Sequence, residues 1–227
     1  HDESVLGFQV EHRSTFKEDA LNDSLAEAYP NKDVYNLNPI EKEELIPSDL
    51  YETDEHRLEV IDSIINESQA KLGLHRGPGR SYGAILTVSS IAEAQKYYDL
   101  FKEVKAGNTD KEISKAVQSK IHDFPKVAIT YSLSENEEGS VSNQEKMQES
   151  LDDYNEMFHT SFTLDQINAY NTNLANRLAR KRTLFLTRKE QIDLVIVVDR
   201  MLTGFDAPSL AMLFMDRAPM PPHHLVQ

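Results

Sequence analysis

The chain of 227 residues contains no cysteine. That excludes disulfides, a thiolate metal site and a cysteine nucleophile, and suits a protein of the reducing cytoplasm. No apolar run approaches the roughly 18 residues of a membrane span. The start, His1-Asp-Glu-Ser, shows no charged-then-apolar signal peptide and no initiator Met, so the chain is expected to begin inside a larger gene product. No G-x-x-x-x-G-K-[ST] loop is present to hold β- and γ-phosphates. There is also no zinc-ligand spacing and no Gly-x-Ser-x-Gly elbow for a serine nucleophile. The eight histidines are scattered apart from His223-His224, so no metal site is expected. Basic surplus is lacking too: the formal net charge is −14, which by itself argues against a nucleic-acid-coating protein.

What is there is unevenly placed. Glu135 to Glu156 is heavily acidic, whereas Arg177, Arg180, Lys181, Arg182, Arg188 and Lys189 form the densest basic cluster. That cluster fits a solvated helix end or a phosphate track. The strongest pattern is Leu194-Val-Ile-Val-Val198, a run with four β-branched residues that predicts a strand buried on both faces of a parallel sheet. It stops at Asp199, and a loop with Thr203, Gly204, Phe205 and Asp206 leads to Pro208. In open α/β sheets ligands sit beyond the carboxyl ends of the strands, where this loop falls. The same residues also fit a plain turn with Phe205 as a core plug.

In chain order, Leu6, Phe8 and Val10 alternate with polar residues as a half-buried strand does. From Phe16 to Leu50, three prolines punctuate short polar pieces, and loops with short helices are expected. Thr53 or Asp54 caps a helix with Leu58, Ile61, Ile65 and Leu72 on one face, ending at Gly73. Gly77-Pro-Gly79-Arg-Ser-Tyr-Gly83 misses phosphate-loop spacing and precedes a strand, so it reads as a flexible lead-in.

Ala84–Val88 is the next buried strand, and Ser90 with Glu93 makes a capping box for a helix carrying Ile91, Ala94, Tyr98 and Phe101. A strand running into a helix N-terminus leaves backbone N–H groups at the sheet edge, suited to a phosphate or to a simple cap. A short helix is expected between Ile113 and His122, then a strand at Val127–Tyr131. Ser142/Glu145 and Thr163/Gln166 make two further boxes. They start helices whose inward faces are Met147, Leu151, Tyr154 and Phe158, then Leu164, Ile167, Tyr170, Leu174 and Leu178. Thr187 with Glu190 caps one more turn, and Leu210–Met215 is the last strand. Alternating strands and helices predict an α/β fold: a mainly parallel sheet flanked by helices.

Several pieces resemble a known family. Leu194-Val-Ile-Val-Val-Asp-Arg-Met-Leu-Thr-Gly-Phe-Asp-Ala-Pro208, followed by Leu213-Phe-Met-Asp216 and His224-Leu-Val-Gln227, is similar to helicase motif V and the opening of motif VI in the restriction (R, HsdR-type) subunit of type I restriction-modification enzymes. Val5–His12 resembles the strand entering that family's second motor domain, Ala84–Ala94 its motif IV, and Leu151–Phe162 a segment between them.

The resemblance implies a RecA-like (P-loop NTPase-type) fold, the helicase C-terminal motor domain of a superfamily 2 DNA translocase. It implies one such domain over 1–227, with a helical and loop insertion at about 17–75 and a helical segment at about 141–182. By the same resemblance Gly204 and Asp206 face the nucleotide, while Thr87, Ser89, Ser90 and Thr203 touch the DNA backbone. In the intact subunit the cofactors are ATP and Mg²⁺, and the activity is ATP-dependent cleavage of unmodified foreign DNA after translocation. Expected partners are double-stranded DNA, the modification and specificity subunits, and a first RecA-like domain and nuclease domain of the same subunit. No membrane is involved, and the location is the cytoplasm of a bacterium or archaeon. The phosphate loop, Mg²⁺-binding motif, nuclease residues and arginine finger are absent from this stretch, so by itself it is expected to be catalytically inactive, with no nucleotide bound and no catalytic residue. Two alternatives remain at this point: another superfamily 2 motor, and a stand-alone acidic α/β module that binds a protein.

Overall fold

The computed structural model describes residues 9–11, 13, 15–16, 18–38, 41–42, 44–132, 140–198 and 208–217. The chain divides into two compact units, His1–Leu50 and Tyr51–Gln227. In the first, α1 (Glu18–Ala28) lays Leu21 and Leu25 against Val34, with Phe16, Tyr29, Leu37 and Ile46 around them. The strand expected at Leu6–Val10 lies mostly outside the described residues; Gln9 and Val10 are irregular and exposed.

The second unit is built on a four-stranded sheet: β1 (Gly83–Val88), β2 (Val127–Thr130), β3 (Leu194–Val198) and β4 (Leu210–Asp216). The order is β2-β3-β1-β4 and every pairing is parallel. All positions of β1 and β2, and the first four of β3, are buried, so both faces of the sheet are covered. Parallel strands of this kind carry continuous apolar runs because each face packs on a helix layer. This is the α/β sheet expected from the sequence. β4 differs: it lies at the edge and is only half-buried, with Leu213 exposed.

Thr53 caps α2 (Asp54–Asp62) by accepting from the His56 N–H at 3.2 Å. The helical path does not run on regularly to Gly73; it widens into a π turn at Ser63–Glu67. Gly73 then stops it in the left-handed conformation, φ 65°, where a side chain would press on the Tyr82 ring.

After β1, Ser90 caps α3 (Ile91–Ala106), accepting from the Glu93 N–H at 3.1 Å. Its inward face carries Ala94, Tyr97, Tyr98, Phe101 and Val104. The short α4 (Lys115–Gln118) fulfils the expected helix before β2. Next come α5 (Ser140–Phe158) and α6 (Ile167–Leu178). Met147, Leu151, Tyr154, Phe158, Tyr170, Leu174 and Leu178 are all buried, as their spacing requires. The caps differ. Because α5 already begins at Ser140, Ser142 sits within its first turn. Thr163 precedes a 3₁₀ turn and makes no side-chain cap bond; Thr187 likewise makes none.

Close packing fixes the entrance to β1. A Cβ on Gly83 would stand 2.5 Å from Leu178 Cδ1, so any larger residue there would make the Leu178 side chain shift.

Candidate functional site

The carboxyl edge of the sheet is where β1 hands over to α3 and where β4 ends at Asp216. Ser89 is exposed there and Ser90 is half-buried with its hydroxyl engaged in the cap. Thr87 lies deeper, fully buried in β1 between β3 and β4, and its Oγ1 has no hydrogen-bond partner. Thr203, Gly204 and Asp206 lie outside the described residues, so the geometry joining them to Ser89 and Ser90 is not described. β3, which leads to them, runs at the centre of the sheet beside β1.

A polar cluster braces this edge. Arg57, almost wholly buried, donates from Nε and Nη2 to the two carboxylate oxygens of Glu93 at 2.8 and 2.7 Å, and from Nη1 to Asp54 at 2.7 Å. Burial works against the charge on Arg57, but Glu93 and Asp54 outweigh it and its pKa ends above the ordinary value. Beside it, His56 Nε2 lies 2.8 Å from Asp216 Oδ1, while the Tyr97 hydroxyl donates to Asp216 Oδ2 at 2.5 Å. Burial and the Asp216 charge push the Tyr97 phenol far up, so it stays a donor.

The arrangement joins α2, α3 and the end of β4. Among the described residues its one hydroxyl is the Tyr97 phenol, which donates to Asp216 and stays protonated, so the cluster acts as a buttress for the edge. Sequence reading identified Glu93 only as a cap residue and missed His56, Arg57 and Asp216. Asp216 closing an apolar strand was the available signal; a partner 160 positions away was not.

The basic cluster is not a solvated helix end. Arg177 is buried, bonded to Glu190 Oε2 at 2.7 Å, and packs its guanidinium 4.0 Å from the centre of the Phe158 ring. Arg188 forms a two-point bond with buried Asp193 at 2.6 and 2.8 Å and reaches Asp123 at 2.6 Å. Asp193 also accepts from the Lys126 N–H at 2.8 Å, which ties the amino ends of β2 and β3 together. Lys181, Arg182 and Lys189 are exposed.

A parallel sheet covered on both faces, with a polar carboxyl edge and a Thr-Gly-Phe-Asp loop after its central strand, defines an α/β domain of the RecA-like class. Residues 80–227 match the family model described as type I restriction enzyme subunit R domain 3. The chain belongs to that family.

Three relatives align over all of it. Type I restriction enzyme endonuclease subunits of Staphylococcus aureus strains MRSA252 and COL are 30% and 29% identical over 235 residues. One from Staphylococcus saprophyticus subsp. saprophyticus is 30% identical over 237. The chain spans about a fifth of the length of these relatives, 21% in each case. Among the described residues no helix is long and apolar enough to cross a membrane.

Proposed function

We propose that this chain supplies the second RecA-like domain of the ATP-driven, DNA-translocating motor in a type I restriction enzyme R subunit. The carrying observation is the central parallel strand β3, followed a few positions on in the sequence by Thr203-Gly204-Phe205-Asp206, in a chain of this family. In this reading Gly204 lets the backbone approach a nucleotide held by a neighbouring domain, and Asp206 accepts a hydrogen bond from it. Hydrolysis of bound ATP, with Mg²⁺, supplies the free energy for movement. Thr203 and the exposed Ser89 and Ser90 donate to phosphates of double-stranded DNA, with Thr87 beneath them, and the Arg57–Glu93 and His56–Asp216 pairs hold that edge rigid.

The whole enzyme cuts unmodified DNA after translocation, together with modification and specificity subunits, in the cytoplasm. The nuclease residues and the phosphate loop belong to other domains of the subunit, so residues 1–227 alone turn over no ATP. Family membership weighs against a motor of another lineage, and no observation favours a stand-alone protein-binding module.

The test is DNA-stimulated ATP hydrolysis by an intact subunit containing this chain. Asp206→Ala is expected to lower it by about a hundredfold, as loss of a group aligned on the nucleotide does. The isolated chain is expected to show none. An Asp206→Ala subunit with unimpaired hydrolysis, or robust turnover by the isolated chain, would overturn the assignment.

A further inference from the structure

At the amino edge of the sheet lies an open pocket of about 570 Å³. Its walls are the Arg76–Tyr82 approach to β1, the end of α6 at Ala179–Lys181, Leu186, and Pro208–Ser209 before β4. Four cations line it: Arg76, Arg80, Arg180 and Lys181. Among the described residues no carboxylate does, in a chain whose net charge is −14.

Arg180 is the telling residue. Its Nε and Nη2 are buried and meet no acceptor. Burial depresses its pKa; the charge on Asp193 opposes that, and Arg188 and Arg76 add repulsion. Arg57 and Arg177, which are buried, and half-buried Arg188 each have a carboxylate at 2.6–2.7 Å. Arg180 is half-buried as a residue, but leaving two of its N–H donors desolvated and unpaired is costly, and those three arginines avoid it. Arg180 also occupies the left-handed turn that ends α6, φ 54°, where glycine is the unstrained choice. Both costs concern one side chain that lines the pocket.

The walls are held in place before any ligand arrives. Buried Gln191 donates to the Gly79 carbonyl at 2.9 Å and the Leu186 carbonyl at 3.1 Å, pinning two of them together. Arg76 lies 4.8 Å from the centre of the Tyr82 ring, which fixes its charge beside the opening. Three guanidiniums and an ammonium present more N–H donors than one carboxylate can accept. A tetrahedral oxyanion, with more oxygens and more charge, matches them better, and arginine forks suit phosphate geometry.

We propose that this pocket binds phosphate groups, with Arg180, Arg76, Arg80 and Lys181 as the donors. The source is either a free polyphosphate or the backbone of a nucleic acid, and the site lies at the opposite end of β1 from Ser89 and Ser90. It stands or falls without the nucleotide and DNA contacts proposed above.

The test is calorimetric titration of the chain with inorganic pyrophosphate at fixed ionic strength, and in parallel with a twelve-nucleotide single strand. Saturable binding is expected, weakened by about tenfold or more in Arg180→Met, the equivalent of one charge-assisted hydrogen bond, and to a smaller degree in Arg80→Gln. Lys115→Gln, remote from the pocket, is expected to leave it unchanged. A strand that binds and is displaced by pyrophosphate identifies nucleic acid as the source; binding of pyrophosphate alone identifies free phosphate.

Arg180→Met is also expected to melt no lower than the parent without anion, an outcome that a merely structural arginine would not give. If that variant fails to fold, the Arg80→Gln/Lys181→Gln double variant carries the test. The proposal is overturned by the absence of saturable binding, by binding indifferent to these substitutions, or by preference for a glutamate-rich peptide over pyrophosphate.

Discussion

The two edges of the sheet treat buried arginine in different ways. At the carboxyl edge Arg57 is matched to Glu93 and Asp54, and the neighbouring His56–Asp216 hydrogen bond joins a helix to a strand end. The amino edge is divided. Beside β2 and β3, Asp193 gathers Arg188 and the Lys126 N–H, whereas beside β1 and β4 the guanidinium of Arg180 is left without an anion. Paired charges here fix where strands begin and end. The unpaired one joins no two elements through a carboxylate, and the proposed phosphate would supply the partner it lacks.

Substitutions sharpen this contrast, the largest effect first. Asp193→Ala removes the carboxylate shared by Arg188 and the Lys126 N–H and is expected to cost about 3–5 kcal/mol, read from urea denaturation. Glu93→Ala leaves buried Arg57 with Asp54 alone, and a loss of about 3 kcal/mol is expected in the same assay. If either substitution shifted stability by less than a surface change does, the view that these pairs brace the edges would fail. Ser90→Ala removes only the cap of α3 and should cost about 1 kcal/mol.

Acidification should probe the Asp123–Arg188 pair more gently. Burial alone would raise the Asp123 pKa, but the hydrogen bond and charge of Arg188, helped by Lys126, hold it below the usual carboxylate range. The stabilisation is therefore complete above the unfolded value of about 3.9 and drains away as pH falls through the folded one. Asp123→Asn should flatten that part of the acid-unfolding curve. The smallest effect, on stability alone, is expected for Arg180→Met in the absence of anion: none, or a slight gain.

Much of the sheet could be read from residue order. Ala84–Val88, Val127–Tyr131 and Leu194–Val198 are almost wholly apolar, broken only by Thr87 and Thr130, because both of their faces are covered, and that pattern is local. The Ser90 cap was equally legible, since its acceptor and donor are three residues apart. Ser142 was misread because a helix can begin upstream of a good cap residue when its inward face, here Met147 and Leu151, holds it. The strand order β2-β3-β1-β4 was not legible, nor was the pairing of Arg57 with Glu93 or of His56 with Asp216; each depends on which distant segments become neighbours. The cluster around Arg177 misled for the same reason. Its charges look exposed in sequence, yet Phe158, Phe185 and Glu190 enclose Arg177. The proposed nucleotide-facing role of Gly204 and Asp206 rests on likeness to the family alone.

The parallel pairing of β4 with β1 has a consequence for the order of the chain. β3 finishes at Val198 on one rim of the sheet and β4 starts at Leu210 on the other. Pro208 and Ser209, which enter β4, are also wall residues of the basic pocket. In sequence, the residues proposed to face the nucleotide thus end two positions before the wall on which Arg180 lies, and one short stretch of chain serves both proposals.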